Sequence, residues 1–289
     1  MDWERDLKSW SLPELSTRII TGPHRWHVQI AGSGPDLLLL PGAGASTHTW
    51  RALIPDLARN NRVLAVDLPG QGFTQSPNAQ RSGLDEMTAD LTELVKSQNW
   101  DPVAIIGHSA GAAIALRLSQ TLGVPRIIGI NPALDNFEGV AGWLFPFLAK
   151  MLAANPFTAN FFAFGATQAR ARRLITGTGS QIDDEGLTYY SRLTADRSHV
   201  NGALQMMARW SLDDLVADLP DIDAKVLFLT GEDDTAVPPE VAQRAAARLP
   251  NATVKSLAGV GHLAHEENPC LILDELKGFL QNDAASRAP

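Results

Sequence analysis

Cysteine is nearly absent from this sequence, which has Cys270 and no other in 289 residues. A single cysteine cannot form a disulfide within the chain, so folding does not require an oxidising compartment. The N-terminal residues are charged and lack the basic-then-apolar order of a secretory signal. These features lead us to expect a cytoplasmic protein.

Clusters of basic residues are also missing. The chain has 24 Lys and Arg residues against 32 Asp and Glu residues, a net charge of -8. Nucleic-acid phosphates are bound by grouped Lys and Arg side chains, so we expect no nucleic-acid partner. Small-molecule substrates and other proteins remain as candidate partners.

Signals for a metal or a nucleotide cofactor are lacking as well. The seven histidines do not pair with cysteine or acidic residues at metal-site spacings. The glycine-rich stretch PGAGAS, residues 41–46, lacks both the P-loop ending and the full spacing of a dinucleotide fingerprint. We therefore predict no cofactor and no catalytic metal.

No apolar run is long and clean enough to suggest a membrane span, which needs roughly 20 predominantly apolar residues. The stretch 139–169 has Lys150 as its single charge, but prolines and asparagines interrupt it. Its seven aromatic residues are Trp143, Phe145, Phe147, Phe157, Phe161, Phe162 and Phe164. We interpret this stretch as a lid over a pocket, with shallow contact to a membrane surface as the alternative.

What the sequence does contain is an alternation of short β-branched apolar runs with helical patterns. This alternation is typical of an α/β protein with a mostly parallel sheet and helices on both faces. The predicted strands are WHVQI, DLLLL, RVLAV, VAIIG, RIIGI, KVLFL and TVKSL. One predicted helix has an apolar stripe formed by Leu84, Met87, Leu91, Leu94 and Val95.

The alternation stops after Asn131 and resumes at Lys225. The intervening residues have a helical composition and no evident strand. We predict a core formed by residues 1–132 and 222–289, with an inserted helical cap at residues 133–221.

The heptapeptide GHSAGAA, residues 107–113, contains the pattern G-x-S-x-G. Its glycines let the chain turn sharply from a strand into a helix and raise the serine oxygen above the sheet. An apolar run precedes the pattern, small residues follow it, and Gly123 supplies a helix-ending signal. We predict that Ser109 is a catalytic nucleophile; the alternative is a tight turn without a catalytic role.

A serine nucleophile needs a histidine base, and the base needs a carboxylate that holds its tautomer. Asp233 and Asp234 follow the strand KVLFL, at the edge of the sheet where Ser109 is expected. We predict Asp234 as the acid and Asp233 as a turn or helix-capping residue. Asp135, just after the strand RIIGI, is a further candidate for the acid.

His262 is the predicted base, on a loop ahead of the last helix. The alternative is a hydrogen-bonded loop residue without a catalytic role. His265 lies closer to that helix, where Asn268 can cap and Pro269 can occupy the first turn, so we assign it a structural role. The amides of Ala43 and Ala110 are the predicted oxyanion-hole donors.

Five motifs in this chain, PGAGAS, DLPGQGFT, GHSAGAA, GEDDTAVPP and GHLAHEENP, occur in one order. With them the chain resembles the α/β-hydrolase superfamily across both halves of the predicted core. The resemblance implies an α/β-hydrolase fold and hydrolysis of an ester-like bond through an acyl-enzyme. One departure is Pro41, which stands where the superfamily usually has histidine, so the family pattern does not show what braces the oxyanion loop.

More narrowly, stretches such as GASTHTWR and LITGTGSQIDDEG are similar to the superfamily members of bacteriochlorophyll operons that are described as magnesium-chelatase accessory proteins. This resemblance implies work beside magnesium insertion into protoporphyrin, with magnesium-chelatase subunits as partners and a tetrapyrrole as a possible substrate. The alternative is a porphyrin-binding or chelatase-assisting protein whose triad is vestigial.

The cap composition is compatible with a flat, apolar tetrapyrrole. Its aromatic residues, among them Trp143, Phe145 and Phe162, are candidates for covering the ring, and Arg170 is a candidate for binding a propionate. Arg172 and Arg173 share that last role. An ordinary cap core with a solvated basic helix face is the alternative.

Overall fold

The structure, a computed structural model, describes residues 1–77, 79–135 and 167–281. Eight strands form one sheet in the order β1-β2-β4-β3-β5-β6-β7-β8. They are β1 (Ser16–Thr21), β2 (His24–Ala31), β3 (Asp36–Leu40), β4 (Arg62–Val66), β5 (Pro102–His108), β6 (Arg126–Ile130), β7 (Lys225–Gly231) and β8 (Ala252–Leu257). β2 is antiparallel to β1 and β4, and every other pair is parallel. The mostly parallel sheet and all seven predicted strands are confirmed.

Alternate side chains of the strands point to opposite faces, and each face has its own apolar core. In β3, Leu38 and Leu40 belong to one core, whereas Leu37 and Leu39 belong to the other. All four leucines are fully buried, which is typical of a strand covered on both faces.

Helices cover both faces of the sheet. The described helices are α1 (Trp3–Asp6), α2 (Ile54–Leu57), α3 (Leu84–Ser97), α4 (Ala110–Leu122), α5 (Gln168–Thr176), α6 (Asp184–Ala195), α7 (Arg197–Arg209), α8 (Asp213–Asp218), α9 (Pro239–Ala246), α10 (Ala264–Glu267) and α11 (Pro269–Gln281). Helices α3, α4 and α9 pack on one face, and α2 and α11 pack on the other. The predicted apolar stripe of α3 is buried, and Gly123 ends α4 at a φ of 69°.

The sequence analysis missed β1, which lies at an edge of the sheet and pairs only with β2 in the described residues. It is largely polar, and the Ile20 side chain is 73% exposed. An edge strand has one unpaired side and little burial, so it does not need the apolar run that marks a central strand.

The described residues between β6 and β7 form helices α5 to α8 and no strand. Trp143, Phe145 and Phe162, the aromatic residues predicted to contact a substrate, lie outside the described residues. Among the helices that the structure does describe, none has the length and apolar character needed to cross a bilayer.

Six parallel strands, β3 to β8, end at the same edge of the sheet. The residues that follow them include the stretch 41–46, Ser109, Asn131, Asp234 and His262. In open α/β sheets this edge is where ligands bind, because the loops after neighbouring strands meet there.

Candidate active site

Ser109 occupies the sharp turn between β5 and α4, with φ 52° and ψ −118°. Such a left-handed φ is rare for a residue with a side chain and marks a strained turn. Backbone bonds hold it, because its amide donates to the carbonyl of Ile130 at 3.0 Å and its carbonyl accepts from Ala112 and Ala133. The strand-to-helix turn predicted from the sequence is therefore present.

Both glycines of the pattern are required by close backbone contacts. A Cβ on Gly107 would lie 2.4 Å from the carbonyl oxygen of Gly111, and a Cβ on Gly111 would lie 2.3 Å from that of Leu40. These contacts bring the first turn of α4 tightly against β3 and β5.

Asp234 and His262 form a hydrogen-bonded pair at the ends of β7 and β8. The Nδ1 atom of His262 is 2.7 Å from Oδ2 of Asp234, whose side chain is 1% exposed. Oδ1 of Asp234 accepts the amides of Ala236 and Val237, both at 2.8 Å. Because a carboxylate only accepts, the proton of a neutral His262 ring lies on Nδ1, and Nε2 keeps its lone pair.

The other two aspartates lie in different surroundings. Asp233 is exposed, and α9 begins after Pro238 with no side-chain cap, so the prediction that Asp233 caps this helix is wrong. The turn is held by Asp234 itself. Asp135 accepts a hydrogen bond from Arg244 at 3.1 Å, so its carboxylate is engaged with another element.

A cavity of about 130 Å³ joins Ser109 to His262, and Ala43 also lines it. Its walls include Ile175 of α5, Thr178 just after that helix, and Tyr190 of α6. The predicted nucleophile, the predicted base and one predicted oxyanion donor therefore face the same space. Ala110, the other predicted donor, is the first residue of α4.

The amides of Ala43 and Ala110 are available to a bound group. Neither donates a hydrogen bond to any of the residues that the structure describes. The Ala110 amide belongs to the first turn of α4, where helix N–H groups have no partner within the helix. Such amides can stabilise negative charge that develops on a substrate oxygen.

Two buried histidines flank His262. The His108 ring lies 4.8 Å from that of His262 and 4.5 Å from that of His265. Burial lowers the pKa of His108 well below its usual value and lowers the pKa of His265 to about 3. Both rings are therefore neutral at pH 7 and place no positive charge beside His262. The structural role assigned to His265 agrees with its 2.6 Å contact to Oγ1 of Thr49.

Sequence reasoning missed Asn131, which connects the loop that carries Asp234, the predicted acid, with the loop that carries His262, the predicted base; these are called the acid loop and the base loop. Its Oδ1 accepts the amide of Gly231 at 2.7 Å, just before the acid loop. Its Nδ2 donates to the carbonyl oxygens of Gly261 and His262 at 2.9 and 2.8 Å. The ring of His108 contacts the same His262 carbonyl, with Nε2 at 2.9 Å. The available signal was an asparagine directly after the apolar run RIIGI, at the edge where the predicted site lies.

The loop at residues 42–45 is braced by residues that no motif indicated. The amide of Gly44 donates to Oε1 of Gln71 at 2.6 Å, and Nε2 of His199 donates to the Gly44 carbonyl at 3.1 Å. A turn bond from the Ala45 amide to the Gly42 carbonyl closes the loop. These contacts fix the loop that Pro41 enters without the usual histidine.

The buried, neutral His199 should make the stability of the fold sensitive to acid. Its Nδ1 accepts the Gly72 amide at 2.9 Å while Nε2 donates to Gly44, so both nitrogens suit the neutral ring. Burial lowers its pKa from 6.5 to about 4 in the folded protein, so below pH 6.5 the unfolded chain binds the proton first. The free energy of unfolding should fall by roughly 3 kcal/mol from this group alone between pH 6.5 and pH 4.

Urea unfolding of wild type and His199→Gln at pH 7 and at pH 4 checks this prediction. We expect a smaller loss of stability with acid in the variant, because glutamine does not titrate. Equal losses in the two proteins would contradict the assignment of this pH dependence to His199.

A buried polar network ties α6 to the helix that follows His262. Glu266 of α10 accepts from Tyr190 and Thr49, at 2.8 and 2.6 Å, and pairs with Arg51. Burial raises the pKa of Glu266. Because Tyr190 also lines the cavity, this network links the cavity wall to the helix that follows the base loop.

The predicted substrate-binding arginines lie on α5. Arg172 pairs with Asp184 at 2.7 Å, and its side chain is 54% exposed, which favours the interpretation as a solvated helix face. Arg170 is half-buried and has a partner of its own. Among the described residues, no group of three or more His, Cys, Asp or Glu side chains is arranged to hold a metal ion.

The sheet is mostly parallel and has eight strands. A serine occupies the strained turn after β5, and a hydrogen-bonded Asp–His pair follows β7 and β8. Together these features define an α/β-hydrolase architecture. A profile of the α/β-hydrolase fold family matches residues 35–269, and the chain belongs to this family. The fold expected from the resemblance is confirmed.

The chain is 46% identical to the magnesium-chelatase 30 kDa subunit (BchO) of Rhodobacter capsulatus. The alignment covers 94% of this chain and 95% of that relative, so the narrower resemblance is also confirmed. A 2-hydroxy-6-oxo-2,4-heptadienoate hydrolase of Pseudomonas putida is 26% identical, over 80% of this chain and 83% of its own. An epoxide hydrolase of known structure has a TM-score of 0.79 and 22% identity, over 94% and 99% of the two chains.

Proposed function

We propose that this protein is a serine hydrolase that cleaves an ester-like bond. Ser109 is the nucleophile, His262 is the general base and Asp234 orients His262. The amides of Ala43 and Ala110 form the oxyanion hole. The observation that supports this proposal best is the Asp234–His262 hydrogen bond beside a cavity that Ser109 also lines.

The reaction follows from these roles. His262 takes the hydroxyl proton as Ser109 Oγ bonds to the carbonyl carbon, and the two amides stabilise the oxyanion. Collapse breaks the bond to the leaving oxygen, which receives the proton from His262 and departs as an alcohol. A water then attacks the acyl-enzyme with the same base, releasing the acid and restoring Ser109.

The cavity volume favours a small reacting group. About 130 Å³ is below the roughly 300–1,000 Å³ of pockets that enclose a whole drug-sized ligand. The described walls therefore suit a short acyl group, and a substrate as large as a tetrapyrrole would extend beyond them.

Labelling with a fluorophosphonate probe tests this proposal. The probe reacts with activated serines, and we expect one labelled peptide, containing Ser109, together with turnover of p-nitrophenyl acetate. His262→Ala should lose the labelling while keeping its unfolding transition. A protein that is neither labelled nor active on short p-nitrophenyl esters would contradict the proposal.

The biological setting that we propose comes from the 46% identical relative, which is named as a magnesium-chelatase subunit. We propose that this protein acts beside magnesium insertion into protoporphyrin in bacteriochlorophyll biosynthesis. Its partners would then be magnesium-chelatase subunits and a tetrapyrrole. Residues 133–221 would be the cap over the site. We propose the cytoplasm as the location, and peripheral membrane contact through the cap is the alternative.

The name of that relative also favours a second candidate, a porphyrin-binding or chelatase-assisting protein that does not use its triad. An absorbance titration with protoporphyrin and its magnesium form distinguishes the two when it is combined with complementation of a deletion strain. Saturable binding and rescue by Ser109→Ala would support the non-catalytic role. Failure of Ser109→Ala to rescue, while wild type does, would support the hydrolase.

A further inference from the structure

The stretch LITGTGSQIDDEG contains a short turn, residues 177–181, that has no role in the proposed reaction so far. This turn, which we call the bridging turn, connects α5 to α6. It belongs to the long insertion between β6 and β7, yet it lies between the loop that carries Asp234 and the loop that carries His262.

The bridging turn is bonded to the acid loop. The amide of Thr235 donates to the carbonyl of Thr178 at 3.3 Å, and its Oγ1 donates to the carbonyl of Gly177 at 3.0 Å. Gly179, at φ 80°, lies so close to this loop that an added Cβ would be 1.8 Å from the carbonyl oxygen of Asp233. Only glycine fits there, because both the backbone conformation and the contact exclude a side chain.

The same turn is bonded to the base loop. The carbonyl of Thr178 also accepts the amide of His262 at 3.3 Å, and Oγ of Ser180 accepts the amide of Leu263 at 2.8 Å. Gly261 packs against it, since a Cβ there would lie 2.4 Å from the carbonyl carbon of Gly179. The backbone on both sides of His262 is therefore held by the bridging turn.

Glu267 completes the arrangement from the base side. One carboxylate oxygen accepts the amide of Gly261 and the other accepts the amide of Gln181, both at 2.9 Å. The base loop is thus joined to the bridging turn before, at and after His262, and one carbonyl, that of Thr178, joins both loops.

We propose that Thr178 and Ser180 are positioning residues for the His262–Asp234 pair. The inserted segment then does more than cover the site, because it holds the base at hydrogen-bonding distance from its acid and directs it to the cavity. This inference rests on the proposed hydrolase function. Misplacement of a catalytic group by about 1 Å can lower a rate about 100-fold, so two or three backbone hydrogen bonds at the base loop matter for rate.

Ser180 is the best residue for a test, because its contact to the base loop is made by the side chain. It is fully buried, and Ser180→Ala leaves the Leu263 amide without its acceptor, whereas Ser180→Thr keeps a hydroxyl. Ser198→Ala is the matched control, since Ser198 is exposed on α7 in the same insertion. Glu267→Gln is a second variant, which keeps one of the two acceptor oxygens and replaces the other with an NH₂ donor, so one of the two backbone amides loses its acceptor.

Kinetics of these variants in wild-type and His262→Ala backgrounds test the positioning role. With p-nitrophenyl acetate, we expect Ser180→Ala to lower kcat about 10- to 100-fold with KM within about twofold, and Ser180→Thr to recover most of the loss. Glu267→Gln should give a smaller loss and Ser198→Ala none. In the His262→Ala background, Ser180→Ala should cause no further loss. An unchanged kcat, or an equal loss in both backgrounds, would overturn the proposal.

A measurement that does not depend on turnover separates this inference from the proposed function. The proton between His262 Nδ1 and Asp234 should give a far-downfield proton NMR signal, which is absent in His262→Ala. We expect this signal to shift or broaden in Ser180→Ala and to return in Ser180→Thr. An unchanged signal in Ser180→Ala refutes the positioning role. A changed signal supports it even when the protein has no esterase activity, a result that refutes only the hydrolase.

Discussion

Ser109→Ala is expected to lower kcat for p-nitrophenyl ester hydrolysis at least about 1,000-fold, with the fold intact. The variant removes the atom that forms the acyl-enzyme, and loss of a triad member commonly costs several powers of ten in rate. The backbone of residue 109 already has a left-handed φ of 52° with a Cβ present, so alanine adds no new strain. The free energy of unfolding should change by less than about 0.5 kcal/mol.

The chain contains a matched control for this experiment. The Nε2 atom of His27 is 2.9 Å from Oγ of Ser16, and its Nδ1 is 2.7 Å from Oδ2 of Asp67, which repeats the connectivity of a serine triad. Ser16, however, begins the edge strand β1 and does not occupy a strand-to-helix turn. We expect Ser16→Ala to keep kcat within about twofold.

Comparison of the two serine variants therefore separates a reactive serine from a hydrogen-bonded one. If Ser109→Ala keeps most of the wild-type kcat, the proposed mechanism is wrong. If Ser16→Ala loses activity without loss of stability, Ser16 and not Ser109 is the active serine.

Asp234→Asn is expected to lower kcat about 10,000-fold, the size of effect known for the same exchange in a serine protease triad. The asparagine oxygen can still accept the amides of Ala236 and Val237, so the turn should keep its shape. Its NH₂ group then faces Nδ1 of His262, and the neutral ring must place its proton on Nε2. A ring with that tautomer cannot accept the proton of Ser109.

Asp233→Asn is the control, because Asp233 is the neighbouring aspartate on the same turn and is exposed. We expect it to keep kcat within about twofold. Steady-state kinetics, with thermal unfolding of each variant, measure both effects. A larger loss in Asp233→Asn than in Asp234→Asn would show that the hydrogen bond to His262 does not identify the acid.

Much of the fold follows from local patterns. The runs DLLLL and RIIGI could be predicted as central strands, because a strand buried on both faces needs a run of apolar residues. Gly123 ends α4, and Asn268 accepts the Leu271 amide at 3.1 Å at the start of α11, as their residue types predict. The edge strand β1 was missed because its pairing partner, and not its own pattern, stabilises it.

The site divides in the same way. The turn at Ser109 could be predicted because Gly107 and Gly111, its two necessary small residues, lie within two positions of it. By contrast, Gln71 and His199 reach the Gly44 loop from distant parts of the chain, and nothing near them in sequence indicates that contact.

The sequence by itself determined the α/β class, the strained turn at Ser109 and the short set of acids and histidines able to serve it, because these depend on residues close together in the chain. Only the tertiary structure decided that Asp234, and neither Asp233 nor Asp135, is bonded to His262. It also decided that Asn131 and the bridging turn hold the two loops together. Hydrogen-bond partners across the sheet edge are selected by the paths of separate segments in space, which local sequence patterns do not encode.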